Sequence, residues 1–113
     1  MTLKLKLSSY DFPLYDYGRT YSFKIYDESG NAFDCSDYTP ELIIVNAENS
    51  NYIDQITPAW TTQSSGEGTF ALVEGKRFEL GIEGFYFLEI QLTKSGVQLS
   101  TELVRITVVG SGD

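Results

Sequence analysis

Histidine is absent from this 113-residue chain, and cysteine occurs once, as Cys35. Without histidine the chain has no side chain that titrates near neutral pH as a general base, no Ser-His or Cys-His nucleophile pair and no imidazole ligand for a metal. One cysteine cannot form an intrachain disulfide, and alone it cannot build a structural zinc site. The sequence therefore predicts a protein that is not an enzyme, with no catalytic residues, no metal site and no cofactor.

Long hydrophobic runs and positive charge are also scarce. No stretch approaches the roughly 18 consecutive apolar residues of a membrane-spanning helix, and the N-terminal segment alternates apolar with polar residues, unlike a signal peptide. The chain carries 16 acidic and 8 basic residues, for a net charge of −8. Such a field repels phosphate backbones and anionic lipid, so we expect neither nucleic acid nor a membrane as a partner.

The remaining composition is that of one globular domain. Hydrophobic residues make up 42% of the chain and aromatic residues 14%, and an aromatic-rich composition favours strands over helices. The length suits one hydrophobic core. We predict one domain over residues 1–109, followed by a flexible tail at residues 110–113, whose sequence is Gly-Ser-Gly-Asp.

Apolar and polar residues alternate with the period of two that is typical of half-buried strands. The alternation is clearest at residues 3–7, 21–25 and 86–92, and the apolar run at residues 42–45 predicts a central strand. Turn-forming residues separate these segments, and no helical periodicity is sustained. The predicted fold class is all-β: a single immunoglobulin-like antiparallel β-sandwich of about seven or eight strands.

Two further segments complete the predicted pattern. Residues 52–60 predict a short strand, although Pro58 interrupts them and has no amide hydrogen to donate to a neighbour. Residues 97–109 predict the closing strand, which follows the turn Lys94-Ser95-Gly96 and pairs with residues 84–93 as the longest hairpin.

Exposed aromatic residues are the candidates for an interface, because such side chains anchor protein contacts or stack on sugars. Tyr15 and Tyr17 lie close to Pro13 in an irregular segment and form the predicted contact patch. Two interpretations of Trp60, next to Ala59, are open: it is either a core residue between the sheets or an interface anchor.

Three pieces of the sequence resemble the N-terminal domain of the phage baseplate upper protein family. They are a strand and turn at residues 23–31, the stretch at residues 33–36 that leads into residues 41–45, and the run at residues 84–90 with Ser100-Thr101-Glu102 before a closing strand. Members of that family are immunoglobulin-like sandwiches that join receptor-binding parts to the tail baseplate. The resemblance implies a structural, protein-binding module of a phage particle, as a baseplate, tail or capsid-decorating component.

That hypothesis carries further expectations. The partners are other virion proteins, self-association into a homo-oligomer is expected, docking uses exposed strand edges and the Pro13 segment, and the location is the virion, assembled in the host cytoplasm. The alternative is a carbohydrate-binding β-sandwich that uses Trp60 and Tyr17 as aromatic platforms.

Overall fold

The computed structural model describes residues 2–13, 19–46, 52–71 and 84–109. Within them lie ten strands: β1 (Lys4–Leu7), β2 (Asp11–Pro13), β3 (Thr20–Tyr26), β4 (Thr39–Asn46), β5 (Tyr52–Ile56), β6 (Ala59–Thr62), β7 (Glu67–Ala71), β8 (Gly84–Lys94), β9 (Val97–Ser100) and β10 (Val104–Val109). The helical residues among those described are the single 3₁₀ turn Gln63–Ser65. No helix in the described ranges is long and apolar enough to cross a bilayer.

The strands form two sheets that face each other. The smaller sheet has the order β1-β3-β7-β6, and the larger sheet has the order β2-β10-β8-β4-β5 with β9 also paired to β8. The pairs are antiparallel apart from the parallel pair of β2 with β10. The structure thus confirms the predicted all-β, immunoglobulin-like sandwich. The described strands outnumber the predicted seven or eight because β2 and β9 are too short to show a pattern of their own.

The core lies between the sheets and is built from the inward phase of each alternating strand. Leu42 and Ile44 of β4 and Ile90 and Leu92 of β8 are fully buried, as is Ile25 of β3. The predicted central position of residues 42–45 is confirmed, since β4 pairs with both β8 and β5. Burial of each such side chain contributes about 1.5–3 kcal/mol of hydrophobic stabilisation.

A row of aromatic rings runs through the core, with Phe12 from β2 of the larger sheet and the other rings from the smaller sheet. The ring centroids of Phe12 and Tyr21 are 4.6 Å apart, those of Tyr21 and Phe70 are 5.6 Å apart, and those of Phe70 and Phe23 are 6.4 Å apart. The Trp60 ring ends the row, 5.9 Å from that of Phe23. These separations are those of favourable edge and offset contacts, which add to the burial of area.

Pro58 marks a change of sheet and does not interrupt a single strand. The residues before it form β5 in the larger sheet, and those after it form β6 in the smaller sheet. Pro58 is itself buried between the two strands. Because proline cannot donate a ladder hydrogen bond, a crossover between sheets is a position that tolerates it.

The predicted closing strand at residues 97–109 is divided at Thr101. β9 pairs with the second half of β8 and β10 with the first half. At the break, the buried Thr101 hydroxyl accepts a hydrogen bond from the Ile90 amide at 3.0 Å and donates one to the Glu102 carbonyl at 3.0 Å. The side chain thus replaces part of the interrupted ladder.

Replacing Thr101 with valine should destabilise the domain by about 1–3 kcal/mol, because the Ile90 amide would lose its hydroxyl acceptor in a buried position. Urea unfolding followed by tryptophan fluorescence measures the change. Thr101→Ser keeps the hydroxyl and is the matched control. A loss confined to Thr101→Ser, with Thr101→Val as stable as the wild type, would show that the methyl group, and not the hydrogen bonds, holds the break together.

Candidate functional site

The predicted patch around Pro13 lies largely outside the described residues. Tyr15 and Tyr17 both fall outside them. Pro13 is described through its backbone only, as the last residue of β2, paired in register with Val109. The interface role of these three residues stays a prediction.

Trp60 is half-buried at the border of the core. Its indole N–H donates a hydrogen bond to the Tyr38 carbonyl at 3.2 Å, and its ring packs against Phe23 and the core cluster. Both the polar tip and one side of the ring are therefore occupied by the protein itself. These contacts favour the core reading of Trp60, while an anchoring role for the rest of its surface stays a prediction.

The acidic residues between β3 and β4 act as caps of their own turns. A carboxylate oxygen of Asp27 accepts hydrogen bonds from the amides of Ser29 and Asn31, both at 2.9 Å. Asp34 accepts from the hydroxyl and the amide of Ser36, and these hydrogen bonds lower the pKa of Asp34. The carboxylates fix the local backbone, as is typical of Asx turns.

Cys35 is the chain's single thiol, and its surroundings suppress the thiolate. The side chain is fully buried. Desolvation, with a further contribution from the charge of Asp34, raises the pKa of Cys35 to about 12. Since the thiolate is the reactive form, Cys35 is a packing residue.

The outer face of the smaller sheet gathers lysines from two adjacent strands. Lys4 and Lys6 occupy the exposed phase of β1, and Lys24 occupies the outward phase of β3, two residues before Tyr26. We call Lys4, Lys6, Lys24 and Tyr26 the lysine face. The strands bring them together because their inward neighbours, Leu5 among them, must be buried.

The pairing register places like charges side by side. Lys6 lies directly opposite Lys24, and Lys4 lies directly opposite Tyr26. Lys24 forms an ion pair with Glu67 of β7 at 3.5 Å, and its ammonium group lies 5.3 Å from the centre of the Tyr26 ring. Within the described part of the chain, neither Lys4 nor Lys6 has an ion-pair partner. Like charges directly opposite across strands destabilise a sheet, so this arrangement opposes folding.

Two open grooves run across the lysine face and share Lys6 and Tyr26. One, of about 280 Å³, continues past Lys24 to the hydroxyl groups of Ser8, Ser22 and Thr61. The other, of about 510 Å³, continues past Lys4 to Tyr10, whose exposed fraction is 42%. Each groove is also lined by one glutamate, Glu67 in the first and Glu102 in the second. The grooves thus combine ammonium groups, hydroxyl donors and aromatic surface with a single carboxylate each, and the ammonium groups of Lys4 and Lys6 are the parts that suit a negatively charged ligand.

The edge of β1 is partly closed to an added strand. The Leu3 carbonyl accepts a hydrogen bond from the Glu102 amide at 2.8 Å, and the Leu7 amide donates one to the Tyr10 hydroxyl at 3.2 Å. These are groups that an incoming strand would need for pairing. A ligand at this end of the molecule therefore lies on the face of the sheet and does not extend it.

The lysine face cannot be predicted from the sequence alone. In the sequence Lys4 and Lys6 have the pattern of the polar phase of any strand, and the net charge of −8 argues against anionic ligands. The sequence does show that three of the basic residues and Tyr26 share the outward phase of two predicted strands. The missing information is that β1 and β3 are neighbours in this register.

Comparison with known proteins supports the fold. No family model matches the chain, and no curated protein matches it. Among solved structures, the crystal structure of CopC from Methylosinus trichosporium OB3b is similar, with a TM-score of 0.54 and 11% sequence identity, over 98% of this chain and 97% of that chain. At this identity the likeness establishes a common β-sandwich architecture.

The predicted function as a phage structural module is wrong. The comparison leads to CopC and not to a baseplate, tail or capsid component. The motifs behind the resemblance are a strand with a Gly-Asn turn and a Gly-x-Tyr hairpin, which are common turn features of unrelated β-sandwiches. The predicted virion location and virion partners rest on the same resemblance and stay predictions.

Proposed function

We propose that this domain is a non-enzymatic binding module whose lysine face takes an acidic, extended segment of a partner protein. The observation that carries the proposal is the pair of lysines, Lys6 and Lys24, held directly opposite each other beside an open groove. The ion pair of Lys24 with Glu67 already offsets part of the repulsion between the two ammonium groups, and a ligand carboxylate beside Lys6 offsets the rest. The remaining repulsion between the two lysines therefore lowers the free energy of unfolding of the unbound domain. Binding of the ligand carboxylate recovers that loss.

The spacing of the lysines favours a polypeptide. Side chains two residues apart on a strand lie about 7 Å apart, which is the separation of Lys4 from Lys6 along β1. An extended peptide repeats its side chains at the same interval, so acidic residues at alternate positions match both lysines. The hydroxyl groups of Ser8 and Ser22 can donate hydrogen bonds to the peptide carbonyls or to further carboxylates.

The net charge of −8 still limits which anions bind. At about 0.1 M salt the Debye length is about 10 Å, and the molecule measures 25 Å across its thinnest dimension. Salt therefore screens the repulsion between a short ligand in the groove and the acidic groups on the far side of the molecule. A long polyphosphate would lie close to many of those acidic groups and would be repelled by them. A short acidic peptide suits the site better than a nucleic acid does.

The side chains of this chain do not provide the ligands that a copper ion needs. The sequence has no histidine, and Cys35 is buried with its thiol protonated. The described residues contain no group of three or more histidine, cysteine, aspartate or glutamate side chains placed to hold a metal ion. Copper sites are built from imidazole, thiolate and thioether ligands, so the donor set does not fit.

Fluorescence anisotropy of a labelled Glu-Ser repeat peptide at 0.1 M salt tests the proposal. We expect saturable binding that weakens as salt is raised, because the contacts are ion pairs at a protein surface. A peptide of the same composition with its glutamates in one block is the matched control and should bind more weakly, since consecutive side chains point to opposite sides of an extended backbone.

Three results would contradict the proposal. They are equal affinity for the alternating and block peptides, no saturation by either peptide, and tighter binding of single-stranded DNA or of an acidic polysaccharide than of the alternating peptide. The last result would assign the lysine face to another class of polyanion.

A further inference from the structure

The backbone of Leu5 faces outward from the edge of β1. Leu5 lies directly opposite Ile25 of β3. The Ile25 amide donates a hydrogen bond to the Gly66 carbonyl at 3.0 Å, and the Ile25 carbonyl accepts one from the Phe33 amide at 3.0 Å. Both polar groups of Ile25 therefore point away from β1, and Leu5 and Ile25 are a non-hydrogen-bonded pair of the antiparallel ladder. The N–H and the C=O of Leu5 consequently point out of the sheet.

The chain itself closes this edge on both sides of Leu5. On one side the Glu102 amide donates a hydrogen bond to the Leu3 carbonyl at 2.8 Å. On the other side the Leu7 amide donates one to the Tyr10 hydroxyl at 3.2 Å. The edge is thus open for the length of one residue. We call this opening, with the N–H and C=O of Leu5 at its base and Glu102 and Tyr10 at its ends, the Leu5 notch.

The Leu5 notch opens into the groove that Lys4, Lys6 and Tyr26 also line. Because the Leu5 side chain is buried, it is the Leu5 backbone that lines this groove. One hydrogen-bond donor and one acceptor therefore lie beside two ammonium groups that have no ion-pair partner within the described residues. Glu102 adds one carboxylate to the same groove. Two positive charges against one negative charge favour an anionic group in the notch.

A single residue of a partner chain matches the polar groups of the Leu5 notch. In an antiparallel pair, such a residue exchanges two hydrogen bonds with the residue opposite, one from its N–H and one to its carbonyl oxygen. A longer strand would also need the Leu3 carbonyl, which the Glu102 amide already occupies. The last residue of a chain meets this limit because nothing follows it, and its carboxylate oxygen takes the place of the carbonyl.

We propose that the Leu5 notch binds the free C-terminus of the acidic peptide, an inference that rests on the proposed function of the lysine face. The last N–H of the peptide donates to the Leu5 carbonyl, and the terminal carboxylate accepts from the Leu5 amide beside Lys4 and Lys6. Hydrogen bonds to an ionised acceptor are stronger than those to a neutral one. An N-terminus would instead bring an ammonium group to the two lysines. The preceding residues of the peptide lie on the lysine face, because the Tyr10 hydroxyl occupies the Leu7 amide at the edge.

Fluorescence anisotropy of two Glu-Ser repeat peptides, both labelled at the N-terminus, tests this inference. The peptides are identical except that one ends in a free carboxylate and the other in an amide. We expect the free-acid peptide to bind about fivefold more tightly at 0.1 M salt, because the amide loses an ion pair and a charge-assisted hydrogen bond. An amidated peptide with one more glutamate at its N-terminus has the net charge of the free-acid peptide. It should still bind about threefold more weakly than the free-acid peptide, since its added charge lies far from the notch.

Two lysine variants and one backbone amide locate the effect. Lys4 lines the groove of the Leu5 notch, whereas Lys24 lines the other groove. Lys4→Gln should reduce the advantage of the free-acid peptide to about twofold, and Lys24→Gln, with the same change of charge, should leave it at about fivefold. In the unbound domain, the Leu5 amide should exchange its hydrogen faster than the amides of Lys4 and Lys6, which bond to β3. Saturation with the free-acid peptide should slow the exchange of Leu5 about fivefold or more.

The outcomes separate this inference from the proposed function. Equal affinity of the free-acid and amidated peptides, with both binding more tightly than the block peptide, would overturn the C-terminal assignment and leave the proposed function standing. The same holds for an advantage that Lys24→Gln removes and Lys4→Gln retains, and for a Leu5 amide whose exchange rate is unchanged at saturation. A lack of saturation by every peptide would contradict both proposals.

Discussion

Replacing Lys6 with glutamate is expected to stabilise the domain and, at the same time, to weaken its binding of the Glu-Ser peptide about tenfold. In the sheet, Lys6→Glu exchanges a like-charge pair with Lys24 for an opposite-charge pair. Cross-strand pairs of this kind contribute about 0.2–1 kcal/mol. The free energy of unfolding should therefore rise by roughly 0.5 kcal/mol.

Peptide affinity changes in the opposite direction for three reasons. One ion pair with the ligand is lost, a repulsion replaces it, and Lys24, which already pairs with Glu67, gains a second carboxylate partner within the sheet. At about 0.5 kcal/mol for each surface interaction, these changes sum to about 1.5 kcal/mol, or about tenfold in affinity.

The matched control is Lys94→Glu, which changes the net charge equally on another part of the surface, where the ammonium group lies 4.6 Å from the centre of the Tyr38 ring. It should leave peptide affinity within about twofold, since its charge is partly screened at the distance of the groove. Equal loss of affinity in both variants would mean that net charge alone governs binding. A loss of stability in Lys6→Glu would mean that the lysine pair is structural.

Replacing Phe23 with alanine should have the largest effect on stability, a loss of about 3–5 kcal/mol. Phe23 is buried, with an exposed fraction of 3%, and its ring lies between those of Trp60 and Phe70. It also covers Gly68, its partner across β3 and β7. Because whole domains are stable by about 5–15 kcal/mol, the variant should unfold at a much lower urea concentration than the wild type.

Gly68 supplies an independent check on this packing. A Cβ atom added there would lie 2.5 Å from the Phe23 ring and 2.7 Å from the Ala59 carbonyl oxygen. Gly68→Ala should therefore cost about 1–3 kcal/mol, and less in a Phe23→Leu background, where the ring contact is gone and the carbonyl contact stays. Equal costs in both backgrounds would show that the Phe23 ring does not determine the need for glycine.

Local patterns of the sequence account for much of the fold. Alternation identifies β1, β3 and β8, because the solvent and the core sort side chains with a period of two. The apolar phase moves from odd positions before Thr101 to even positions after it, which a bulge in one strand would also produce, so the division of the last strand rests on a Thr101 hydroxyl bonded to Ile90. Alternation does not show that Pro58 separates strands of different sheets, because a proline at a crossover and a proline at an edge look alike in sequence.

The candidate site was less predictable than the fold, because it depends on pairing between distant segments. Lys6 and Lys24 are 18 positions apart, and their juxtaposition follows from the antiparallel register of β1 with β3. A shift of that register by one residue would place Lys6 opposite an inward-facing residue and disperse the charges. By contrast, Trp60 stands out by residue type, but its indole N–H is already bonded to the Tyr38 carbonyl.

The most direct test of the central claim is to map the binding surface by amide chemical shifts of the ¹⁵N-labelled chain during titration with the Glu-Ser peptide. We expect the shifts to cluster on the lysine face and its groove, at Lys4, Lys6, Ser22, Lys24 and Glu67, with the amides of β8 and β10 unchanged. Shifts centred on Phe85 and Arg105, or spread evenly over the surface, would contradict the assignment of the lysine face as the binding site.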